Sequence, residues 1–201
     1  MARQLFTIGY AGFPDIEDFL QVLKQHGVQI LIDVRSSPFS AYHTCYNKDA
    51  LSPVLQKNGI LYFHYARQFG ARQEDRRYYR DGYLNFALFS ASPQFLEGVH
   101  QVEKSSASIA FMCAEKQPID CHRAILVARA FHDRGHPVTH LTPDGTLTQE
   151  QLETELLNTY FPNRDQVSLF SEENRTEQEL IAAAYEKQNA AIGFREEDLK
   201  E

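Results

Sequence analysis

Residues 30–34 have the sequence Ile30-Leu31-Ile32-Asp33-Val34, a continuous apolar run with one carboxylate near its end. Such a run is typical of a β-strand that is covered on both faces, as the strands of a parallel sheet are. Further apolar or β-branched runs lie at 5–9, 60–65, 108–113 and 137–141. Together these runs predict the five strands of a parallel sheet.

Helical patterns occupy the segments between these strands. Apolar residues recur at helical spacing after Asp15, Asn47, Ser92 and Asp120, and polar residues of these types cap helix N-termini. Glycine follows three of the four segments, where a left-handed C-terminal residue is wanted. Strands that alternate with helices predict an α/β fold, a Rossmann-like three-layer parallel sheet with helices on both faces.

The distribution of charge divides the chain in two. The formal net charge is −7 at pH 7, of which residues 1–147 account for +1 and residues 148–201 for −8. We predict an α/β core domain over 1–147 and an acidic C-terminal arm with helices over 148–201. Capping-box pairs in the arm are Thr148 with Gln151 and Thr176 with Glu179. Because the core domain is electrically balanced, an anionic ligand is compatible with it.

Composition excludes several classes of protein. Hydrophobic residues make up 43% and charged residues 23%, values of a globular chain and not of a disordered one or a coiled coil. No apolar run approaches the ~20 residues that cross a bilayer, and we expect no signal peptide. Three cysteines, an odd number, favour a reducing compartment over a disulfide framework. We expect a cytoplasmic protein without a membrane partner.

Chemically active residues cluster where the predicted strands end. In an open parallel sheet, ligands bind outside the carboxyl ends of the strands. The catalytic candidates at this edge are Asp33, Cys113, Glu115, Cys121 and His122. The candidates for binding substrate or phosphate are Tyr10, Arg35, Arg67, Arg72, Lys116 and Arg123.

Asp33 and Arg35 lie two residues apart and project to the same face of an extended chain. They could form an ion pair that braces the loop after the strand. Alternatively, Arg35 holds the Asp33 carboxylate as a base or an orienting group beside an anionic ligand. The sequence leaves both interpretations open.

The sharpest local feature is Cys113-Ala114-Glu115-Lys116, followed by Cys121-His122-Arg123 at a predicted helix N-terminus. Two thiols and an imidazole could bind a metal, but Cys-x7-Cys-His is not a familiar zinc spacing. Either cysteine could instead be a nucleophile with His122 as its base. In a third interpretation the cysteines are buried hydrophobes, while His122 and Arg123 hold a phosphate at the helix N-terminus. We assign no metal site, and the cofactor is unknown.

Residues 67–80 contain five of the thirteen arginines of the chain, interleaved with aromatic residues. The arginines are Arg67, Arg72, Arg76, Arg77 and Arg80, and the nearby aromatic residues are Phe69, Tyr78, Tyr79 and Tyr83. Guanidinium groups fit phosphates and aromatic faces accept bases, so this composition suits single-stranded or flipped nucleotides. The alternative is a solvated loop held by its own acidic residues, Glu74, Asp75 and Asp81.

With these residues in hand, the chain resembles the domain of unknown function 488 family of small bacterial and archaeal proteins. The segments that carry the resemblance are Thr7 to Tyr10, Leu31 to Pro38, Phe111 to Lys116 and Cys121-His122-Arg123. Asn47 matches the asparagine before the second helix, and Phe69-Gly70-Ala71-Arg72 stands where the family has Leu-Gly-Gly-Arg. The resemblance covers about residues 5–141 and implies no settled activity.

A looser similarity links the chain to rhodanese and cysteine phosphatase domains. In those domains a strand that ends in cysteine leads into an anion loop and a helix, and Asp33-Val34-Arg35 after a strand looks like theirs. Here Cys113 and Arg123 are ten residues apart, and Pro118 lies between them. This spacing is too long for the same tight loop and disfavours sulfur transfer.

From these residues we expect a nucleic-acid- or nucleotide-processing enzyme, a hydrolase or transferase associated with DNA repair or replication. Its partners would be DNA or RNA. One alternative is a binding module of the same shape that performs no chemistry. The other is a cysteine-dependent sulfur or phosphoryl transferase.

The predicted arm contains a candidate docking peptide. Gln166-Val167-Ser168-Leu169-Phe170 is similar to the peptide with which many bacterial proteins bind the replicative sliding clamp. Gln166 would supply a directional hydrogen bond, while Leu169 and Phe170 would be apolar anchors. The alternative is that Leu169 and Phe170 pack on the protein's own domain.

Overall fold

The strands alternate with helices along the chain, as the hydrophobic pattern predicts. The computed structural model describes residues 4–164 and 175–199. Its strands are β1 (Leu5–Gly9), β2 (Ile30–Asp33), β3 (Leu61–His64), β4 (Tyr79–Arg80), β5 (Tyr83–Leu84), β6 (Ile109–Cys113), β7 (Val138–Thr142) and β8 (Gly145–Thr148). The candidate docking peptide at 166–170 lies outside the described residues.

Six strands form one sheet in the order β3-β2-β6-β1-β7-β8. All neighbours are parallel except β8, which pairs antiparallel with β7. Strand β6 is inserted between β1 and β2, so the carboxyl ends of these three strands lie side by side. This placement brings together residues that are far apart in the sequence.

Helices cover both faces of the sheet, which confirms the predicted α/β, Rossmann-like fold. They are α1 (Ile16–Gln25), α2 (Lys48–Lys57), α3 (Ala66–Phe69), α4 (Phe86–Ser90), α5 (Pro93–Lys104), α6 (Arg129–His132), α7 (Gln149–Tyr160) and α8 (Glu177–Ile192). A π-helical segment, Arg123–Ala128, leads directly into α6. None of the helices within the described ranges is long and apolar enough to cross a membrane.

Two buried clusters hold the layers together, one on each face of the sheet. Leu23 of α1 and Leu55 of α2 pack with Ile8 and Leu31 of the sheet. On the other face the helices from α4 to α8 pack around strand residues such as Phe111. Successive residues of β6 alternate between the two clusters, which is the period of two expected of a strand.

Both helices of the predicted C-terminal arm pack on this second cluster. Leu152 and Leu156 of α7 are buried in it together with Ala184 and Tyr185 of α8. Each helix begins with the predicted capping box, in which the threonine side chain and the side chain three residues later exchange backbone hydrogen bonds. Residues 148–164 and 175–192 therefore contribute to the same core as the sheet.

Candidate functional site

A cleft of about 540 Å³ lies where β1, β2 and β6 end. Tyr10 follows β1, Arg35 follows β2 by two residues, and Cys113 is the last residue of β6; all three line the cleft. Cys121 and His122, just before the π-helical segment, form another part of its wall. The predicted convergence of polar residues at the strand ends is therefore present in the fold.

The floor of the cleft contains a cluster of two thiols, a carboxylate and an imidazole. The Sγ atoms of Cys113 and Cys121 each donate a hydrogen bond to the same oxygen, Oε2 of Glu115, at 2.9 Å. Nδ1 of His122 lies 3.8 Å from the first sulfur and 3.9 Å from the second. We call Cys113, Cys121 and His122 the thiol–imidazole cluster.

The three donor atoms of this cluster all lie within 4.8 Å of one another. The cluster is almost entirely buried, with His122 the most exposed at 8%. Two sulfurs and one imidazole nitrogen at this separation could hold a metal ion. The sequence offered a metal site as one of three interpretations, but its unfamiliar spacing did not favour that one.

A hydrogen bond to the backbone fixes the ring orientation of His122. Its Nε2 atom lies 3.0 Å from the backbone carbonyl oxygen of Val34. Because a carbonyl oxygen only accepts hydrogen bonds, Nε2 carries the proton. In the neutral ring, Nδ1 therefore presents its lone pair to the two sulfurs.

The pKa values of the two cysteines are shifted in opposite directions. Burial raises the pKa of Cys113 well above its ordinary value. Burial also opposes ionisation of Cys121, but the hydrogen bond from Cys113 and the charges of Arg123 and His122 outweigh it, so the pKa of Cys121 is well below its ordinary value. Cys121 is thus the more acidic thiol of the pair, and Cys113 is the less acidic one.

The groups around Cys121 also have shifted pKa values. Burial and the charge of Cys121 raise the pKa of Glu115. Burial disfavours the charged form of His122, but the contacts with Cys121 and Glu115 outweigh it and raise the pKa of the imidazole. Shifts of this kind in a cleft are a feature of catalytic groups.

Asp33 and Arg35 form a buried ion pair beside the cluster. Nε and Nη2 of Arg35 donate to the two carboxylate oxygens of Asp33 at 2.9 and 2.6 Å. The backbone N–H of Arg35 and the hydroxyl of Tyr62 donate to the same carboxylate. Asp33 is 0% exposed and does not line the cleft. The geometry has the form of the ion-pair interpretation, in which the carboxylate orients Arg35; the role of Asp33 as a catalytic base stays a prediction.

Arg35 itself does reach the cleft. Its guanidinium lies over the ring of Tyr10 at 5.2 Å, and Nη2 also donates to the backbone carbonyl of Tyr46. Nη1 is buried and has no hydrogen-bond partner among the described residues. The two N–H bonds of Nη1 therefore have no acceptor in the described part of the chain, although the atom itself is enclosed.

Arg123 does not belong to the cleft wall, contrary to its predicted role as a phosphate ligand. Its side chain is fully buried, and its guanidinium donates to the backbone carbonyls of Glu115 and Lys116 at 2.7 and 3.2 Å. A Cβ atom on Gly9 would lie 1.9 Å from the same Glu115 carbonyl, so this loop is packed tightly against β1. Arg123 positions the segment that carries Glu115, while the side chain of Lys116 is exposed outside the cleft.

Only one arginine of the 67–80 segment lines the cleft. Arg72 is exposed there, with its guanidinium 4.9 Å from the ring centre of Phe194. Arg67 lines a neighbouring hollow that shares Ser36 and Arg72 with the cleft. Arg76 and Arg77 form ion pairs with Glu196 and Asp75.

The aromatic residues of the same segment are mostly unavailable for stacking on bases. Phe69 and Tyr79 are buried in the core, Tyr78 packs on Phe89, and the ring of Tyr83 faces the guanidinium of Arg195. Residues 66–83 fold into α3 and the β4–β5 hairpin. Within the segment Arg77 pairs with Asp75, whereas Arg76 pairs with Glu196 of the C-terminal part. The nucleic-acid interpretation of the segment stays a prediction, and Arg72 is the arginine in the cleft on which it depends.

The cleft has rim residues that sequence patterns did not indicate. Phe39 and Tyr42 are 54% and 94% exposed and lie on the segment after β2, while Asp120 and Phe194 complete the wall. Two aromatic residues within four positions after Ser36-Ser37-Pro38 were a usable signal. Phe194 had none, because its contact with Arg72 joins residues that are remote in the sequence.

A larger hollow of about 870 Å³ lies elsewhere, between the β4–β5 turn and residues 195–199. Its lining includes the ion pair of Arg76 with Glu196 and holds no thiol, imidazole or buried carboxylate. The chemistry of the described residues therefore lies in the smaller cleft.

Comparison with known proteins agrees with the sequence resemblance. No curated protein and no solved structure matches the chain. The profile of the family described as "Domain of unknown function DUF488" matches residues 15–130, which include β2, β6 and the whole thiol–imidazole cluster. The chain belongs to the DUF488 family.

Proposed function

We propose that the protein is an enzyme that processes a nucleotide or a single-stranded nucleic acid. The observation that supports this proposal best is the composition of one cleft. Its floor holds the thiol–imidazole cluster, Glu115 reaches this cluster from the rim, and the rim also holds exposed aromatic and arginine side chains. A binding module would need the rim but not the floor.

The rim suits a base and a phosphate. The exposed rings of Phe39 and Tyr42 offer faces on which a base can stack. The guanidinium of Arg72 is exposed and can form a bidentate contact with a phosphate. The loop hydroxyl of Ser36 accepts a hydrogen bond from the backbone N–H of Arg72 at 2.8 Å, which ties the two recognition segments together.

The floor suits proton transfer. Glu115 reaches the cluster from the rim, and its raised pKa brings the carboxyl closer to the range in which it can both accept and donate a proton. A general acid–base group next to a bound phosphate or base supports hydrolysis or group transfer. We assign Glu115 the acid–base role and Arg72 a substrate-binding role.

Binding is tested with a fluorescently labelled single-stranded oligonucleotide and with mononucleotides, by anisotropy and calorimetry. Arg72→Ala should weaken binding by about tenfold, since it removes a charge-assisted hydrogen bond. The matched control is Arg77→Ala, because Arg77 is on the same segment, has an 84% exposed side chain and lies outside the cleft. Equal losses in both variants, or no binding by the wild type, would contradict the proposal.

Turnover is tested by incubating the protein with nucleotides and oligonucleotides and identifying products by mass spectrometry. Glu115→Gln should retain nucleotide binding and lose product formation. A wild type that binds nucleotides tightly but yields no product from any of them would favour the binding module instead.

A second candidate is a cysteine-dependent transferase. The lowered pKa of Cys121, at the floor of a cleft, is the observation that favours it. This candidate requires a covalent adduct on Cys121, which intact-protein mass spectrometry would detect after incubation with a sulfur or phosphoryl donor. Unaltered turnover after Cys121→Ser would exclude it.

Association with the replicative sliding clamp stays a prediction from Gln166, Leu169 and Phe170 in the sequence. The change that tests it is Leu169→Ala combined with Phe170→Ala, which should abolish binding of the whole protein to the purified clamp. Retained binding would show that the clamp uses another surface of the protein.

A further inference from the structure

We propose that Cys113, Cys121 and His122 bind one divalent metal ion of the zinc class, with a fourth coordination position that opens into the cleft. The proposal goes beyond the nucleotide-processing function and does not depend on it. It identifies a metal site, and it reassigns the two thiols from nucleophiles to ligands.

The spacing of the donor atoms carries the first step. Zinc bonds of about 2.3 Å to sulfur and about 2.0 Å to nitrogen place tetrahedral ligand atoms roughly 3.5–3.8 Å apart. Nδ1 of His122 lies 3.8 and 3.9 Å from the two sulfurs, and no two donor atoms of the cluster are more than 4.8 Å apart. Small side-chain movements therefore suffice to close the three donors around one ion.

The type of donor selects the metal. Thiolate sulfur and imidazole nitrogen favour zinc and other late first-row metals over magnesium or calcium, which prefer oxygen. A bound ion would drive deprotonation of both thiols. Bonds from sulfur to the metal would then replace the hydrogen bonds that the thiols donate to Glu115.

The surroundings of His122 have the form of a metal site's outer shell. Metal-binding histidines usually donate their second ring N–H to a carbonyl or carboxylate, which fixes the ring and its tautomer. The hydrogen bond from Nε2 to the Val34 carbonyl at 3.0 Å has this form. It leaves Nδ1, the atom nearest the sulfurs, as the ligand.

The cluster provides three protein ligands and faces a cleft, which distinguishes it from a closed structural site. Structural zinc sites have four protein ligands, whereas catalytic sites have three and keep one position for water or substrate. Oε2 of Glu115 lies 2.9 Å from both sulfurs. Glu115 also lines the cleft, so this carboxylate lies between the cluster and the cleft. Glu115 is therefore placed to take a proton from a water molecule in the open position.

A dication also improves the charge balance of the cleft. Glu115 and Asp120 line it together with Arg72, and the positive charge of Arg35 is already paired with Asp33. Two thiolates would add further negative charge next to a substrate phosphate. An ion with two positive charges offsets the thiolates and makes the floor compatible with an anionic substrate.

Metal content tests the proposal directly. Full-length protein is reduced, stripped with a chelator, and titrated with Zn²⁺ and with Co²⁺ alone, followed by elemental analysis and absorption spectroscopy. We expect one ion per chain and a thiolate-to-cobalt charge-transfer band. Cys113→Ser, Cys121→Ser and His122→Ala should each weaken Zn²⁺ binding by more than the roughly 10–100-fold that follows loss of an outer-shell partner.

Two variants serve as controls. Cys45→Ser removes the third cysteine, which is exposed and outside the cluster, and should leave the metal content unchanged. Glu115→Gln should also retain one ion, because Glu115 is not a ligand in this proposal. Loss of the ion from Glu115→Gln would overturn the open fourth position, and equal loss from Cys45→Ser would overturn the assigned ligands.

A measurement on the wild type covers the case in which the ligand variants fail to fold. Alkylation of the reduced protein, followed by peptide mass spectrometry, should show Zn²⁺ protecting Cys113 and Cys121 but not Cys45. Wild-type protein that takes up neither Zn²⁺ nor Co²⁺, with alkylation of all three cysteines unchanged, would overturn the site. These readouts contain no nucleotide, so failure of the metal site and failure of the proposed function are separate results.

Discussion

The Nε2–H group of His122 donates a hydrogen bond to the backbone carbonyl of Val34, 3.0 Å away across 88 residues of sequence. This contact joins the end of β2 to the segment that follows β6 and directs Nδ1 of the imidazole towards the two cysteines. We therefore predict that mutation can separate the structural role of Nε2 from the metal-binding role of Nδ1. His122→Ala should destabilise the fold by about 2 kcal/mol, because it leaves a buried carbonyl unpaired.

His122→Gln is the matched variant, since its amide can still donate to Val34. It should recover most of the stability lost in His122→Ala, as measured by chemical denaturation, and still fail to bind Zn²⁺. Equal stability of the two variants would show that the Val34 contact contributes little to the fold.

Asp33→Asn tests the buried ion pair. The carboxylate of Asp33 accepts hydrogen bonds from Nε and Nη2 of Arg35 and is fully buried. Removal of one partner leaves the other charge uncompensated, which costs about 3 kcal/mol or more. We therefore expect Asp33→Asn to lower the free energy of unfolding in urea by this amount.

The control for this prediction is Tyr62→Phe, which removes only the hydroxyl that donates to Asp33 at 2.7 Å. Its cost should be smaller, about 1.5 kcal/mol. A fully stable Asp33→Asn variant that has lost turnover would instead support the catalytic-base role of Asp33.

Arg123→Ala should destabilise the protein and not merely weaken ligand binding. The buried guanidinium of Arg123 donates to the carbonyls of Glu115 and Lys116, and both would lose a charged donor. A loss of about 3 kcal/mol would lower Tm by roughly 10 °C in a chain of this size. Thermal unfolding followed by circular dichroism measures the shift, and Arg77→Ala, an exposed arginine, should leave Tm unchanged.

The pH dependence of stability should carry the signature of His140. This residue is fully buried, and burial together with the charge of Arg123 lowers its pKa to about 3. The unfolded chain binds the proton at pH values below ~6.5, where the folded chain does not, so stability falls as the pH drops from ~6.5 towards 3. Between pH ~6 and ~5 the loss from this group is about 1 kcal/mol.

His140→Gln removes this titration, and the difference between the two proteins isolates it from all other groups. Urea denaturation at several pH values should show a shallower decline for the variant. Parallel pH profiles for wild type and variant would mean that His140 is protonated, or accessible to protons, in the folded state.

Sequence patterns predicted the fold well because its signals are local. Asp15 caps α1 through a 2.9 Å hydrogen bond from the Asp18 backbone, and Gly27 adopts φ +63 just after the helix. These contacts connect residues a few positions apart. The hairpins β4–β5 and β7–β8 carry a local signal too, the Asp-Gly pairs at 81–82 and 144–145, which is a turn signal and not a helical or strand period.

The site was predictable in position but not in detail. The residues that follow strands had to meet at one edge, and Cys113, Glu115, Cys121 and His122 do so. What the pattern could not supply is the direction of each side chain. Arg123 follows His122 directly, yet it points into the core, because the neighbouring positions of a helix face different sides.

Strand order is the second feature that the sequence pattern did not predict. The insertion of β6 between β1 and β2 decides that the thiol–imidazole cluster lies beside Arg35 and Tyr10. No local pattern encodes which strands are neighbours. The metal interpretation depended on the same information, since it needs Cys113 at a strand end and His122 at a helix start to lie 3.8 Å apart.

The most direct test of the central claim is a crystal structure of the full chain with a bound nucleoside monophosphate. We expect electron density in the strand-end cleft, with the base against Phe39 or Tyr42, the phosphate in hydrogen-bond contact with Arg72, and the reacting group beside Glu115. Density for the nucleotide outside this cleft, for example in the hollow next to Arg195, with the cleft free of ligand, would contradict the assignment of the functional site.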